Sequence, residues 1–169
     1  MAASSYAYEP MGEAHRNAVI DIYNHFIANS MAAYPEEPVP YTMYDRFLDM
    51  TRGYPAIVVK DATGRVVGFA FLRPYLAIAT FKRSAEITEF ILPEYTGRGI
   101  GTELLDRLFN AARQMGIIKT VLASVSSENA QSLSFHRKRG FSECGRLRCV
   151  GRKHGRDFDV VWMQKDVSE

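Results

Sequence analysis

Cysteine is scarce in this sequence, and the two that occur, Cys144 and Cys149, form no C-x-x-C pair. A zinc site needs several closely spaced ligands and a disulfide framework needs more cysteines, so both are disfavoured and no metal is expected. Two isolated cysteines are typical of reduced thiols in a cytoplasmic protein. We expect both to lie in or near the core.

Long apolar runs and a strong excess of one charge are also missing. No stretch approaches the ~18 apolar residues of a membrane span, and Met1–Pro10 lacks the basic and apolar regions of a signal peptide. The chain carries 21 Lys and Arg against 19 Asp and Glu, which disfavours a general polyanion binder. We therefore expect a cytoplasmic protein with no membrane or nucleic-acid partner.

The 169 residues suit a single domain, residues 1–169, with a core of its own. Apolar spacing and turn residues predict the order β-α-α-β-β-β-α-β-α-β-β, which indicates a mixed α/β sheet. Thr42 and Asp45 are typical of a capping signal before the second helix. The predicted strands are 4–9, 56–60, 66–72, 85–92, 117–125, 142–150 and 158–163, and the predicted helices are 11–30, 44–52, 102–115 and 129–139.

A loop with three glycines, Gly97, Gly99 and Gly101, directly precedes a strongly amphipathic helix. Glycines allow positive φ angles and close backbone approach to a ligand. The free N–H groups at a helix start favour an anion, so the pattern predicts a phosphate-bearing ligand. A Walker A loop would need Lys after Gly101, and a dinucleotide fingerprint counted from Gly97 would need Gly or Ala where Thr102 stands. Both of these nucleotide sites are disfavoured.

The segment T-G-R-G-I-G resembles the acyl-CoA loop of the GNAT acetyltransferases, whose signature is Gln/Arg-x-x-Gly-x-Gly/Ala. Gly99 and Gly101 fill its last two positions. Thr96 departs from the expected Gln or Arg, and Arg98 supplies a basic residue two places later. Three further segments are similar to the phosphinothricin acetyltransferase and L-amino acid N-acyltransferase branch: Ile22–Ser30, Ser127–Phe141 and Gly151–Asp166.

This resemblance implies the GNAT fold, a mixed and mostly antiparallel sheet with a splayed parallel strand pair and helices on both faces. It implies acetyl transfer from acetyl-CoA to the primary amine of a small molecule, in a ternary complex and without a metal. The acceptor is expected to be an amino acid or an analogue such as methionine sulfone or phosphinothricin. Two alternatives stay open: another amine class (polyamine, aminoglycoside or protein N-terminus), and a non-catalytic acyl-CoA-binding module.

Two catalytic residues follow from the resemblance. Glu86 matches the family's carboxylate ten residues before Thr96, and is expected to act as base, directly or through water. Glu89 is the alternative base; a separation of three places the two on opposite faces of a strand, so we expect only one to face the acceptor. His136, four residues before Gly140, stands at the position of an acid for the leaving thiolate, although a packed or exposed histidine is equally compatible.

The expected acetyl-CoA site combines backbone amides, the glycine loop and the start of the fourth helix. Asn129 matches a family contact and also suits a helix N-cap. The complete set is Phe90, Ile91, Leu92, Thr96, Gly97, Arg98, Gly99, Ile100, Gly101, Thr102 and Asn129.

The acceptor site is expected at the end of the strand that precedes Glu86. Arg73 suits a substrate carboxylate, which it can bind in bidentate fashion, or is a solvated edge residue. Leu76 and Ile78 stand where the phosphinothricin enzymes have basic residues, and Pro35 replaces an Arg, so a more apolar pocket is predicted. The expected substrate-binding residues are Tyr34, Arg73, Pro74, Tyr75 and Glu86.

The C-terminal part of the chain is basic. Eight of the 21 basic residues fall between Arg137 and Arg156, and we expect a solvated face or partial contact with the CoA phosphates. The strand Phe158–Met163 alternates in character, which suits packing in a homodimer, as the resemblance implies, or in the core.

Overall fold

A computed structural model describes residues 6–168. Strands and helices follow one another in the predicted order, and every predicted element is present. The strands are β1 Ala7–Pro10, β2 Ala56–Lys60, β3 Val66–Pro74, β4 Ser84–Ile91, β5 Thr120–Ser126, β6 Ser142–Lys153 and β7 Arg156–Asp166, and the helices are α1 Arg16–Asn29, α2 Met43–Met50, α3 Ile100–Met115 and α4 Ala130–Lys138.

The seven strands form one sheet in the spatial order β1-β2-β3-β4-β5-β7-β6. The neighbours β4 and β5 are parallel, and every other pair is antiparallel. The predicted mixed, mostly antiparallel sheet is confirmed. The parallel pair arises because α3 connects β4 to β5, and a crossover through a helix returns the chain in the same direction.

Helices cover both faces of the sheet, as expected. On one face α1 and α2 pack on β2 and β3 through residues such as Ile20, Tyr44 and Phe69. On the other face α3 and α4 pack through Leu104, Leu108 and Leu133, among others. Apolar residues at helical spacing form these faces, so the pattern that predicted the helices also predicted which side of each is buried.

Several boundaries differ from the predicted ones. The first helix is preceded by a short 3-10 turn, Glu13–His15. The α3 helix begins two residues earlier than expected because Gly99, with φ +82°, already stands at its N-cap. Ser4 and Ser5, the start of the first predicted strand, lie outside the described residues.

The predicted capping role of Thr42 is wrong. Its backbone is already helical, with φ −64°, and its side chain makes no capping hydrogen bond. A capping side chain normally belongs to a residue of extended backbone, which lets it reach the amides ahead. Asp45 instead pairs with Arg16 of α1, at 2.7 Å between Nη2 and Oδ1, so this carboxylate joins two helices.

The C-terminal strands also correct two expectations, the burial of the two cysteines and the exposure of the whole basic segment. Cys144 and Cys149 are exposed rather than near the core, because both lie on β6, the outermost strand. Strand β7 lies between β5 and β6 and pairs with both, and the homodimer stays a prediction. Lys153, counted within the basic segment, is fully buried. In the part of the chain that the structure describes, no helix combines the length and apolarity of a membrane span.

Candidate active site

The parallel strand pair β4–β5 separates near the middle of the sheet. Its ladder joins Ser84–Glu86 to Thr120–Leu122, and within residues 6–168 it extends no further. Each strand continues with its other neighbour, β4 with β3 as far as Ile91 and β5 with β7 as far as Ser126. A cavity of about 900 Å³ occupies the gap. The expected splayed pair is confirmed, and it opens the sheet to a ligand.

Glu86 and Glu89 both line this cavity. Their side chains leave opposite faces of β4, as the spacing predicted. We expected only one of them to face the acceptor, but the cavity passes through the gap in the sheet and reaches both faces. The two carboxyl groups therefore belong to one site, with the strand backbone between them.

Glu86 is held by two neighbours on adjacent strands. Arg73, its cross-strand partner on β3, places Nη2 2.7 Å from Oε2. Ser124 on β5 donates a hydrogen bond to Oε1 at 3.2 Å. Burial raises the pKa of Glu86 above its ordinary value, and the Arg73 charge and the Ser124 hydroxyl oppose that rise. This carboxyl is oriented, and its proton affinity is increased, which suits a base.

His136 is buried on α4 and faces Glu89. Its Nδ1 lies 2.8 Å from the backbone carbonyl oxygen of Ser132, which can only accept, so Nδ1 carries a hydrogen. Nε2 is left as the acceptor, 3.4 Å from Oε1 of Glu89. Burial lowers the pKa of His136 and raises the pKa of Glu89 to about 8. At neutral pH the imidazole is neutral and Nε2 has no proton to give, so the geometry does not support His136 as the acid.

The N-terminus of α3 faces the cavity with its first backbone amides. Gly97 and Gly99 have φ angles of +73° and +82°, which turn the loop into the helix. Among the described residues no side chain caps this end. At Gly101 an added Cβ would lie 3.1 Å from the Phe135 ring and 3.3 Å from Ile91. The loop residues Thr96 and Gly97 line the same cavity. The uncapped, positively polarised helix end is suited to an anion, and the phosphate site that the glycine pattern predicted stays a prediction.

Comparison with known proteins identifies the family. The acetyltransferase (GNAT) family profile matches residues 19–141. This chain belongs to the GNAT acetyltransferase family. It is 32% identical to an L-methionine sulfoximine/L-methionine sulfone acetyltransferase of Pseudomonas aeruginosa, over 92% of this chain and 91% of that protein. It is 31% identical to a phosphinothricin N-acetyltransferase of Streptomyces coelicolor, over 94% of each. It also superimposes on a GNAT phosphinothricin acetyltransferase of Sinorhizobium meliloti, solved with acetyl-CoA, with a TM-score of 0.89, 29% identity, and coverage of 95% and 88%.

Only one of three expected GNAT backbone donors faces the gap. The Leu92 amide donates to the Val67 carbonyl at 2.9 Å, so the free amide expected there is wrong. Antiparallel pairing alternates direction, so Phe90, opposite Phe69, also directs its amide toward β3. The Ile91 amide points the other way, into the opening between β4 and β5. It is the donor that this part of the strand offers to a ligand.

Of the remaining predicted cofactor residues, most line the cavity and one does not. Gly99, Ile100, Gly101 and Thr102 all line the cavity with the loop. Asn129 also lines it, and its side chain caps α4 by accepting from the Ser132 amide at 3.1 Å, which confirms the N-cap; the expected contact with CoA stays a prediction. The side chain of Arg98 lies over the Tyr95 ring, 5.3 Å from its centre, outside the cavity lining.

The acceptor end of the cavity is mainly aromatic. Tyr34 lines it and stacks on Phe158 with ring centres 5.7 Å apart. Pro74 and Tyr75 lie outside it, since Tyr75 packs on Phe81 and Trp162 instead. The sequence pattern missed several other lining residues, because helical spacing indicated only core packing for those on α1 and α2. They include Tyr23, Phe26, Phe47, Met50 and Phe71.

Proposed function

We propose that this chain transfers the acetyl group of acetyl-CoA to the α-amine of a free amino acid with an apolar side chain. One observation carries the proposal: a single cavity joins the uncapped α3 N-terminus at one end to the Arg73–Glu86 pair and an aromatic wall at the other. The relatives named for acetylating methionine sulfone and phosphinothricin support an amino-acid acceptor. The aromatic wall favours an apolar side chain over phosphinothricin.

The residues fit acetyl-CoA in two places. The phosphates suit the amides of Ile100, Gly101 and Thr102 at the helix start, where no capping side chain competes. The pantetheine arm suits the Ile91 amide in the gap. Bound there, acetyl-CoA supplies an activated acyl group. A metal plays no part in this proposal.

Glu86 and Arg73 act on the acceptor in this scheme. Glu86 accepts, directly or through water, the proton that the amine nitrogen loses as it attacks the acyl carbon. Arg73 gives one N–H group to Glu86 and retains others, so it can also bind the acceptor carboxylate. The same arginine then orients the base and the substrate.

The test is an acetyl-transfer assay by thiol release with a panel of amines. We expect L-leucine, L-phenylalanine and L-methionine sulfone to be acetylated. L-leucinamide should show a kcat/KM lower by about tenfold or more, because it lacks the carboxylate for Arg73. Preferential use of spermidine, an aminoglycoside or a peptide N-terminus would overturn the amino-acid assignment. Binding of acetyl-CoA without transfer to any amine would indicate the non-catalytic module instead.

The loop geometry makes a second prediction. Gly99→Ala places a Cβ on a residue with φ +82°, which costs about 1 kcal/mol or relaxes the loop. We expect acetyl-CoA to bind about tenfold more weakly, measured by titration calorimetry. The matched control is Gly64→Ala, with φ +85° in the β2–β3 turn and equally open space around the new Cβ. Equal affinities in the two variants would contradict a phosphate site at the loop.

We also propose that the protein works in the cytoplasm as a homodimer. Two free thiols, Cys144 and Cys149, support a reducing compartment. Strand β6 supports self-association, since it forms an exposed sheet edge on which Leu147 and Val150 are about half exposed. Sedimentation velocity measures the oligomeric state, and a monomer at micromolar concentration would contradict the dimer.

A further inference from the structure

Glu89 is a buried carboxyl group without a cationic partner. Its side chain is 14% exposed, and its Oε2 has no hydrogen-bond partner among the described residues. The nearest titratable atom is Nε2 of His136, 3.4 Å from Oε1 and likewise unpartnered in residues 6–168. An ionised carboxylate in such a place would be strongly unfavourable, because nothing compensates its charge.

The environment of this pair keeps the proton on the carboxyl group. The Ser132 carbonyl fixes the hydrogen of His136 on Nδ1, so Nε2 can accept a hydrogen bond from a protonated Glu89. Other titratable side chains lining the cavity are Glu86 and Arg73, which pair with each other, Glu128, and tyrosines 23, 34 and 95. No cation among these compensates Glu89, whose raised pKa has burial as its one cause.

Glu89 and Glu86 lie on opposite faces of β4, and both border the gap between β4 and β5. Glu86 and Arg73 occupy the side that carries the aromatic acceptor wall. Glu89 occupies the side of α3 and α4, two residues before Ile91, whose amide also faces the opening. An acyl group in the gap would have the base on one side and a protonated carboxyl group on the other.

We propose that Glu89 is a catalytic residue, the acid that protonates the CoA sulfur as it leaves. His136 is a positioning residue that accepts the Glu89 hydrogen bond in the resting site, until the carboxyl O–H turns from Nε2 to the sulfur. This inference rests on the proposed acetyl transfer. A bond forms between the acceptor nitrogen and the acyl carbon while the carbon–sulfur bond breaks, and the sulfur keeps the electron pair. Glu86 takes the proton lost by the nitrogen, and Glu89 gives its proton to the sulfur. Solvent then reprotonates Glu89 and takes the proton from Glu86, so the products are the N-acetyl compound and CoA thiol.

The test compares Glu89→Gln with the wild-type protein. Glutamine has the same shape but no transferable proton. We expect kcat to fall about tenfold with little change in acetyl-CoA affinity, and the alkaline decline of the wild-type kcat near pH 8 to disappear. The control is Glu143→Gln on the exposed strand β6, which should behave as wild type. Glu89→Asp, which keeps an acidic proton at a shorter reach, should recover part of the loss.

A second readout is independent of turnover. Infrared difference spectra between pH 6.5 and pH 9.5 should show the C=O stretch of a protonated carboxyl group in the wild-type protein and lose it in Glu89→Gln. Absence of that band, or an unchanged kcat and alkaline decline in Glu89→Gln, would overturn the role of Glu89 alone. If the wild-type protein transfers acetyl to no amine, the proposed function fails and this role fails with it.

Discussion

Glu86→Gln is expected to lower kcat by ~10²–10³-fold while acetyl-CoA affinity stays within about twofold of wild type. Arg73 and Ser124 hold the two carboxylate oxygens at 2.7 and 3.2 Å. Glutamine keeps the shape: its oxygen can accept from Arg73, and its NH2 group can donate to the Ser124 hydroxyl. It cannot take a proton from the amine. Steady-state thiol release measures kcat, and calorimetry with acetyl-CoA shows that the cavity is intact.

The pH profile separates a base from a merely structural carboxylate. The ionised form of Glu86 is the active one, so kcat/KM should fall as the pH drops through its pKa. Burial raises that pKa, so the decline should lie above the ordinary value of 4.5. Glu86→Gln should lack this acid limb, and Glu86→Asp should retain it with reduced kcat. A wild-type rate in Glu86→Gln would show that water alone serves as the base.

Lys153→Met is expected to destabilise the fold by about 3 kcal/mol, which corresponds to a Tm lower by roughly 10 °C. The ammonium group of Lys153 is fully buried and donates to three backbone carbonyls, those of Ile27, Ser30 and Ala33, at 2.7 to 2.8 Å. These oxygens lie at the C-terminal end of α1, where the helix dipole favours a positive charge. Methionine fills the space but leaves three buried acceptors without donors.

The same lysine links the edge strand β6 to the residues that form the acceptor wall. Ser30 and Ala33 line the cavity next to Tyr34, so Lys153→Met should also raise the acceptor KM more than the acetyl-CoA KM. Lys82→Met, at an exposed lysine, is the matched control and should leave Tm and both KM values unchanged. If the free energy of unfolding of Lys153→Met lay within about 0.5 kcal/mol of the wild-type value, a structural role for the buried charge would be contradicted.

Local patterns explain which parts of the site were predictable. The glycine loop and the start of α3 are neighbours in sequence, so an uncapped helix end behind flexible glycines was visible without a fold. The spacing of Glu86 and Glu89 predicted that they lie on opposite faces of β4. It did not predict that both reach one cavity, because the separation of β4 from β5 depends on how far two distant strands pair.

Contacts between distant segments account for what was missed. Ser124 reaches Glu86 across 38 residues of chain, and Lys153 reaches Ile27 and Ser30 at the end of α1 across 126 and 123. Within one basic segment nothing in the sequence separates the buried Lys153 from exposed neighbours such as Arg152. Cys144 and Cys149 were placed wrongly for the same reason, since their exposure follows from the position of β6 at the sheet edge.

By itself, the sequence determined the order of elements, the glycine loop at the start of α3 and a carboxylate on the strand before it. These features depend on periodicity, glycine conformation and residues close together in the chain. Tertiary structure alone decided the gap between β4 and β5, the pairing of Arg73 with Glu86 and the meeting of Glu89 with His136. Proton affinities depend on burial and on the partners that folding brings together. The roles of these groups can therefore be inferred only from the packed strands and helices.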